Sequence, residues 1–237
     1  MRFDVLTLFP DMFPGYFCQS ILNKAIERGL VEIHVHNMRD WTTDRHHKID
    51  DTPYGGGPGM VLMVEPVVKC VRDVQSMDPR QGTIVLLTPQ GQTLKQPLVE
   101  ELATTPRFIV LCGRYEGFDQ RVIDILQPVE LSIGDYILNG GEVAAMVLVD
   151  SLVRMVPGVL GDELSNIDDS FSRGNRLLEY PQYTRPRDFE GHSVPEILLS
   201  GNHQAIADWR KQKSLEKTKA IRSDLLDQHS EDHLSND

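Results

Sequence analysis

Cysteine is scarce in this chain of 237 residues. There are three, Cys18, Cys70 and Cys112, far apart and with no C-x-x-C pair. That excludes a disulfide framework and a zinc ribbon. Long apolar runs are also missing. The best candidate, Val143 to Val149, stops at Asp150, far short of the roughly 18 uninterrupted residues that a membrane span needs. The opening MRFDVLTLFPDMF carries an acid and no sustained apolar core, unlike a signal peptide. Common signatures fail as well: there is no G-x-x-x-x-G-K-[ST], no H-E-x-x-H, no G-x-S-x-G, and no G-x-G-x-x-G after a strand. His46-His47 sits on a polar loop where adjacent rings point apart, so the residues define no metal ligand set. These absences lead us to expect a reduced, soluble, cytoplasmic protein with no membrane segment.

Positive charge is in deficit too, with 24 Lys and Arg against 35 Asp and Glu, a net charge of −11. The average hides a pattern. Arg173 to Arg222 holds 10 basic and 6 acidic residues, whereas Ser223 to Asp237 holds 5 acids and no Lys or Arg. Bulk charge therefore neither establishes nor excludes a nucleic-acid partner.

The composition that remains, 40% hydrophobic and 25% charged, is that of a globular protein able to bury a core. Strand-like runs fall at Phe3–Phe9, Val31–His36, Thr83–Thr88, Phe108–Cys112 and Val129–Ile133. VEIHVH alternates like a half-exposed strand, while TIVLLT and FIVLC read as strands covered on both faces. Helical stretches intervene: Ser20–Arg28 ending at Gly29, Glu65–Gln75 with proline in its first turn, and Glu142–Met155. The alternation predicts an α/β fold with a mainly parallel sheet flanked by helices. From Asp162 to Asn175 the chain turns polar and reads as a flexible linker, in which Asp162, Asp168 and Asp169 can each be a plain linker acid and Asp168 is the neighbour most easily exchanged for Asp169 in any assignment. Beyond it we expect a small helical C-terminal domain over 176–237: a helix capped by Asn202 with Ile206 and Trp209 inward, a second helix over about Ser214–Leu226, and a disordered acidic tail.

Ligands of open α/β sheets bind beyond the C-terminal ends of the strands. Three loops lie there: Leu87–Gln92, Cys112–Asp119 and Ser132–Glu142. Any one could be a plain glycine turn. Three together favour a cradle of backbone groups for a ligand.

LLTPQGQ, LCGRYEGFDQRV, SIGDYILNGGE, MVPGVLG, DSF, EYPQYTRP and VPEILLSGNH follow one another in that order. This series closely resembles the bacterial tRNA (guanine-N1)-methyltransferases of the TrmD family, which belong to the SPOUT knotted methyltransferases. The resemblance covers residues 1 to about 226, departing at EVAAM where the family has ELPAM and in the acidic tail. It implies a deep trefoil knot within residues 1–161, an exception to the rule that chains do not thread loops. It also implies that the three loops bind S-adenosyl-L-methionine through Pro89, Gly113, Tyr115, Ile133, Gly134, Asp135, Tyr136, Ile137, Leu138, Gly140 and Gly141.

The implied reaction methylates N1 of guanine 37, beside the anticodon. Asp169 is the implied general base and Arg154 the cation that stabilises charge developing on the guanine, with Glu116 holding the guanine or a divalent ion. Each has a plainer reading, as linker acid, helix-end cation and turn acid respectively. Magnesium is associated with the family, but its ligands are unknown here. The resemblance further implies a homodimer with the active site at the subunit interface, Asp169 coming from the other subunit. The C-terminal domain would grip the anticodon stem-loop, with Arg185, Arg187, His203, Arg210, Lys211 and Lys213 as candidates for phosphate contacts. Tyr54 and Phe171 could support an extruded base, or simply pack. Other readings are a knotted methyltransferase for another RNA, a non-catalytic RNA-binding protein, and a small-molecule enzyme using a nucleotide cofactor.

Overall fold

The computed structural model describes residues 1–161, 168–173 and 176–226. Much of the predicted linker, Asp162 included, and the tail from 227 onward lie outside the described residues. The chain forms two compact units that divide after Gly161.

Five strands build the sheet of the first unit: β1 (Arg2–Thr7), β2 (Glu32–Asn37), β5 (Thr83–Thr93), β6 (Arg107–Cys112) and β7 (Val129–Ser132). A small antiparallel pair, β3 (Asp50–Asp51) with β4 (Val61–Leu62), lies outside it. The sheet order is β2-β1-β6-β5-β7, and every neighbouring pair is parallel. This agrees with the expected mainly parallel α/β sheet. Parallel strands need crossovers, and helices supply them: α1 (Pro14–Phe17), α2 (Ser20–Glu27), α3 (Val64–Ser76), α4 (Gln96–Leu102), α5 (Gln120–Leu126) and α6 (Glu142–Val153).

The strand residues divide by parity, as a two-residue period requires. Phe108, Val110 and Cys112 of β6 pack with Val85, Leu87, Phe3 and Val5 against α2, α4 and α6. Ile109 and Leu111 face the other way, with Leu6 and Leu86, against α3 and α5. Each residue of β6 is therefore buried, which explains why FIVLC shows no polar alternation. β2 is an edge strand, and its alternation survives.

A charge cluster closes the edge where β1 and β6 begin. Asp4 and Arg107 are fully buried and joined at 2.8 Å. Arg107 also donates to the carbonyls of Val74 (2.6 Å), Gln75 (3.0 Å), Asp78 (3.1 Å) and Arg80 (2.9 Å), capping the C-terminal end of α3. Burial alone would raise the Asp4 pKa. Hydrogen bonds from His36, Arg2 and Arg107 outweigh it and hold the carboxyl far below the usual carboxylate range.

Two expectations need correction. β5 does not end at Thr88. It leaves the ladder after Leu87 and resumes at Gln92, both residues facing Leu131 of β7. Pro89 has no N–H to offer a ladder, and Gly91 lies so close to β7 that a Cβ there would sit 2.4 Å from the Glu130 carbonyl carbon. In the second unit a single helix, α7 (His203–Ile221), runs unbroken through Ser214, where the start of a second helix was expected. No glycine or proline interrupts HQAIADWRKQKSLEKTKAI, so nothing ends the helix at Ser214.

Asn202 does cap α7, accepting from the Ala205 N–H at 3.2 Å. Ile206 and Trp209 are only half-buried; the buried stripe is Ser214 and Thr218. Ser214 donates to the Leu178 carbonyl at 2.6 Å, and Thr218 accepts from the Leu178 N–H at 3.0 Å, fixing the preceding segment to the helix. The unit also holds a short hairpin of β8 (Asp188–Phe189) and β9 (His192–Ser193).

Candidate functional site

Beyond the C-terminal ends of β5, β6 and β7 the first unit encloses a cavity of about 500 Å³. It is lined by the predicted Pro89, Gly113, Tyr115, Glu116, Ile133, Gly134, Tyr136, Ile137, Leu138, Gly140 and Gly141. Arg114, Phe118, Gln120 and Ala144 also contribute to its wall. Asp135 lies on the third loop without lining the cavity.

Close backbone approach dictates the glycines. The Gly141 N–H donates to the Gly113 carbonyl at 2.8 Å, and Arg114 bridges to Gly140, so the second and third loops lie side by side. A Cβ on Gly141 would sit 2.8 Å from the Cys112 Cα. Gly134 has φ +147°, and a Cβ there would strike the Tyr136 ring at 2.4 Å. That ring folds back over its own loop, its hydroxyl donating to the Ile133 carbonyl at 3.1 Å. Tyr115 takes a left-handed φ of +58° in the turn closed by Gly117, a conformation rare outside glycine and associated with functional turns. The side chains of Tyr115, Tyr136, Ile137 and Leu138 remain exposed. The cavity thus offers apolar side chains, closely approaching glycines and a set of polar and charged groups, a make-up suited to a small-molecule ligand.

The reading of the sequence passes over one participant. The glycine-rich turn Gly55–Gly59 is laced to the second loop: Glu116 N–H donates to the Met60 carbonyl at 3.0 Å, Leu62 N–H to Gly117 at 2.9 Å, and Asp119 N–H to Leu62 at 3.0 Å. Gly59, at φ +88°, leaves the space filled by the Glu116 side chain. The run YGGGPG was the available signal. Tyr54, at its start, is fully exposed.

Arg154 forms the C-cap of α6, its N–H donating to the Asp150 carbonyl at 3.2 Å, and it does not line the cavity. Asp169 belongs to the second unit, where its carbonyl accepts from the Ser172 N–H at 3.1 Å. Its neighbour Asp168 is engaged by the Tyr180 hydroxyl at 3.1 Å. Burial, and then this carboxylate, raises the pKa of Tyr180. Phe171 takes φ +67° with the Arg222 guanidinium 5.8 Å from its ring centre.

Among the candidate phosphate contacts, Arg187 pairs with Glu196, Lys213 pairs with Glu216 at 2.6 Å, and Arg210 stacks over Tyr180 at 4.7 Å. Among the described residues, no three His, Cys, Asp or Glu side chains are grouped to hold a metal ion, and no helix is long and apolar enough to cross a membrane.

Comparison with known proteins bears on the chain as a whole. A family model described as tRNA (guanine-1)-methyltransferase TrmD matches residues 1–228. A protein of Rhodopirellula baltica named tRNA (guanine-N(1)-)-methyltransferase is 64% identical, the match covering 98% of this chain and 97% of that protein. Proteins of the same name from Geotalea uraniireducens and Geobacillus kaustophilus are 53% and 54% identical, over 99% and 97% of this chain and 93% of each relative.

Proposed function

The chain belongs to the tRNA (guanine-1)-methyltransferase family, and on that premise we propose that it transfers a methyl group from S-adenosyl-L-methionine to N1 of guanine 37 in tRNA. The observation that carries this reading is the cavity at the C-terminal strand ends, walled by the three loops on which the family motifs fall. The residues fit the cofactor. Ile133, Tyr136 and Leu138 offer apolar surface to an adenine ring, and Gly113, Gly140 and Gly141 let main chain approach it. Bound there, S-adenosyl-L-methionine supplies an electrophilic methyl on a sulfonium whose departure leaves a neutral thioether. The same loops would carry the trefoil knot that the family resemblance implies.

The protein must then supply the nucleophile and its orientation. Guanine N1 carries a proton at neutral pH and is a poor nucleophile. Asp169 takes that proton, and Arg154 balances the charge that builds toward O6. Glu116, standing in the cavity wall beside the Gly59 turn, holds the target guanine.

The enzyme works as a homodimer, with Asp169 reaching the site of the other subunit. α6 supports this. It is apolar nearly all round, and its Val143 and Val147 stay exposed, as do Phe9, Met12 and Tyr16 of the same unit. Helices of that character are normally covered. The second unit grips the anticodon stem-loop of tRNA, through Arg185, His203 and Lys211 among others, and the cytoplasm is where such a substrate is met.

The deciding experiment offers labelled S-adenosyl-L-methionine and two unmodified leucine-type tRNA transcripts, one with guanine at position 37 and one with adenine. Label on the first alone is the expected result. Label on both overturns the target. Label on neither, with cofactor binding verified, overturns the activity.

A further inference from the structure

One ion pair, formed by Arg114 of the cavity wall with Glu142 buried behind it, has no role in the chemistry above. Arg114 Nε and Glu142 Oε2 lie 2.9 Å apart, and the Glu142 side chain is only 1% exposed. The remaining carboxylate oxygen of Glu142 accepts from the Thr7 hydroxyl at 2.9 Å. That same hydroxyl accepts from the Phe9 N–H at 2.9 Å. The Arg114 guanidinium reaches further. It donates to the Asn139 carbonyl at 3.2 Å, approaches the Met12 sulfur at 3.3 Å, and lies 4.5 Å over the Phe9 ring.

Arg114 and Glu142 thus tie together the segment after β1, the loop after β6 and the loop after β7. Gly140 makes the arrangement possible: a Cβ there would sit 2.3 Å from Arg114 Nε and 2.6 Å from Glu142 Oε2. A buried ion pair gains little net stability over an apolar pair of the same size. What it does supply is fixed geometry, and the two loops it joins are the ones that would enclose the cofactor.

We infer that Arg114 and Glu142 are positioning residues that hold the second and third loops at the separation S-adenosyl-L-methionine requires. The inference rests on the reading of the cavity as the cofactor site. The Nε, Nη1 and Nη2 groups of Arg114 meet Glu142, Asn139 and Met12 from one planar guanidinium, a fork that lysine cannot reproduce.

The test measures S-adenosyl-L-methionine Kd by calorimetry, KM for tRNA at saturating cofactor, and Tm, on the full-length wild type and on Arg114→Ala, Arg114→Lys and Glu142→Gln. Loosening the loops removes preorganisation, so the cofactor Kd should rise on the order of tenfold in Arg114→Ala. Arg114→Lys should not restore it, KM for tRNA should stay within about twofold, and the double variant Arg114→Ala/Glu142→Gln should be no worse than its worse parent. A lowered Tm with unchanged cofactor Kd in the folded conservative variants makes the pair a structural brace and overturns the inference. Failure of the wild type itself to bind S-adenosyl-L-methionine overturns instead the reading of the cavity.

Discussion

Asp4 shows how a position can be decided by partners distant in sequence. Its carboxylate is fully buried and meets Arg107, 103 residues away. Replacing Asp4 by asparagine leaves the Arg107 guanidinium buried without its counter-charge, at a cost of about 3–5 kcal/mol. The folded carboxyl titrates below its unfolded value, so its stabilisation is full above about pH 4. It drains away as pH falls toward the depressed folded value. Urea unfolding at pH 7 and at progressively lower pH should therefore show the gap between wild type and Asp4→Asn narrowing with acidity. A gap independent of pH would contradict the role given to this charge. Gly91 is decided by a backbone instead: alanine there must displace the Glu130–Leu131 strand, and unfolding should register roughly 1–3 kcal/mol of destabilisation. Asp169→Ala should lower kcat by about 10²–10⁴ while leaving the cofactor Kd, read by calorimetry, unmoved. A parallel loss of cofactor affinity would make Asp169 a binding residue rather than a base.

Two helices differ in what their patterns reveal. α7 was legible at its start, because an asparagine cap is a local device: Asn202→Ala should cost about 1 kcal/mol, seen as earlier melting of helical circular dichroism. Its inward face was not legible. The buried positions Ser214 and Thr218 are polar, chosen for the backbone groups of Leu178 that they satisfy, and hydropathy is blind to that. α6 shows the opposite case. Its apolar run announced a helix but not which side is covered, since Val143 and Val147 look like core residues and are exposed. If they meet a second copy, Val147→Glu should shift the protein to monomer in analytical ultracentrifugation, because a charge would be buried without a partner. A dimer undisturbed by this change would place the interface elsewhere.

The two units described on either side of Gly161 carry the two residues assigned to the chemistry, Arg154 in the first and Asp169 in the second. If they act across a subunit boundary, mixing inactive Arg154→Ala with inactive Asp169→Ala protein should restore activity, one site per heterodimer being intact. Turnover approaching a quarter of wild type is expected after full random exchange, since about half the dimers then carry one good site of two. No recovery, with exchange confirmed by mass spectrometry, would place both residues in one subunit's site.

The short helices α1, α4 and α5 were not predicted, whereas the five parallel strands, the helices α2, α3 and α6 and the three glycine-bearing loops were readable from the residues. Each depends on local chemistry: apolar runs of strand length, a cap, glycines where a turn needs them. Strand ends moved by one or two residues, and β5 proved to re-enter the ladder at Gln92. What the local pattern could not contain were features made by approach. The sheet order, the Asp4–Arg107 cluster, the lacing of the Gly55–Gly59 turn to Glu116, and the Arg114–Glu142 pair all join segments far apart in the chain. A hydrogen bond or ion pair acts over about 3 Å, and only the folded chain decides which distant groups come that close.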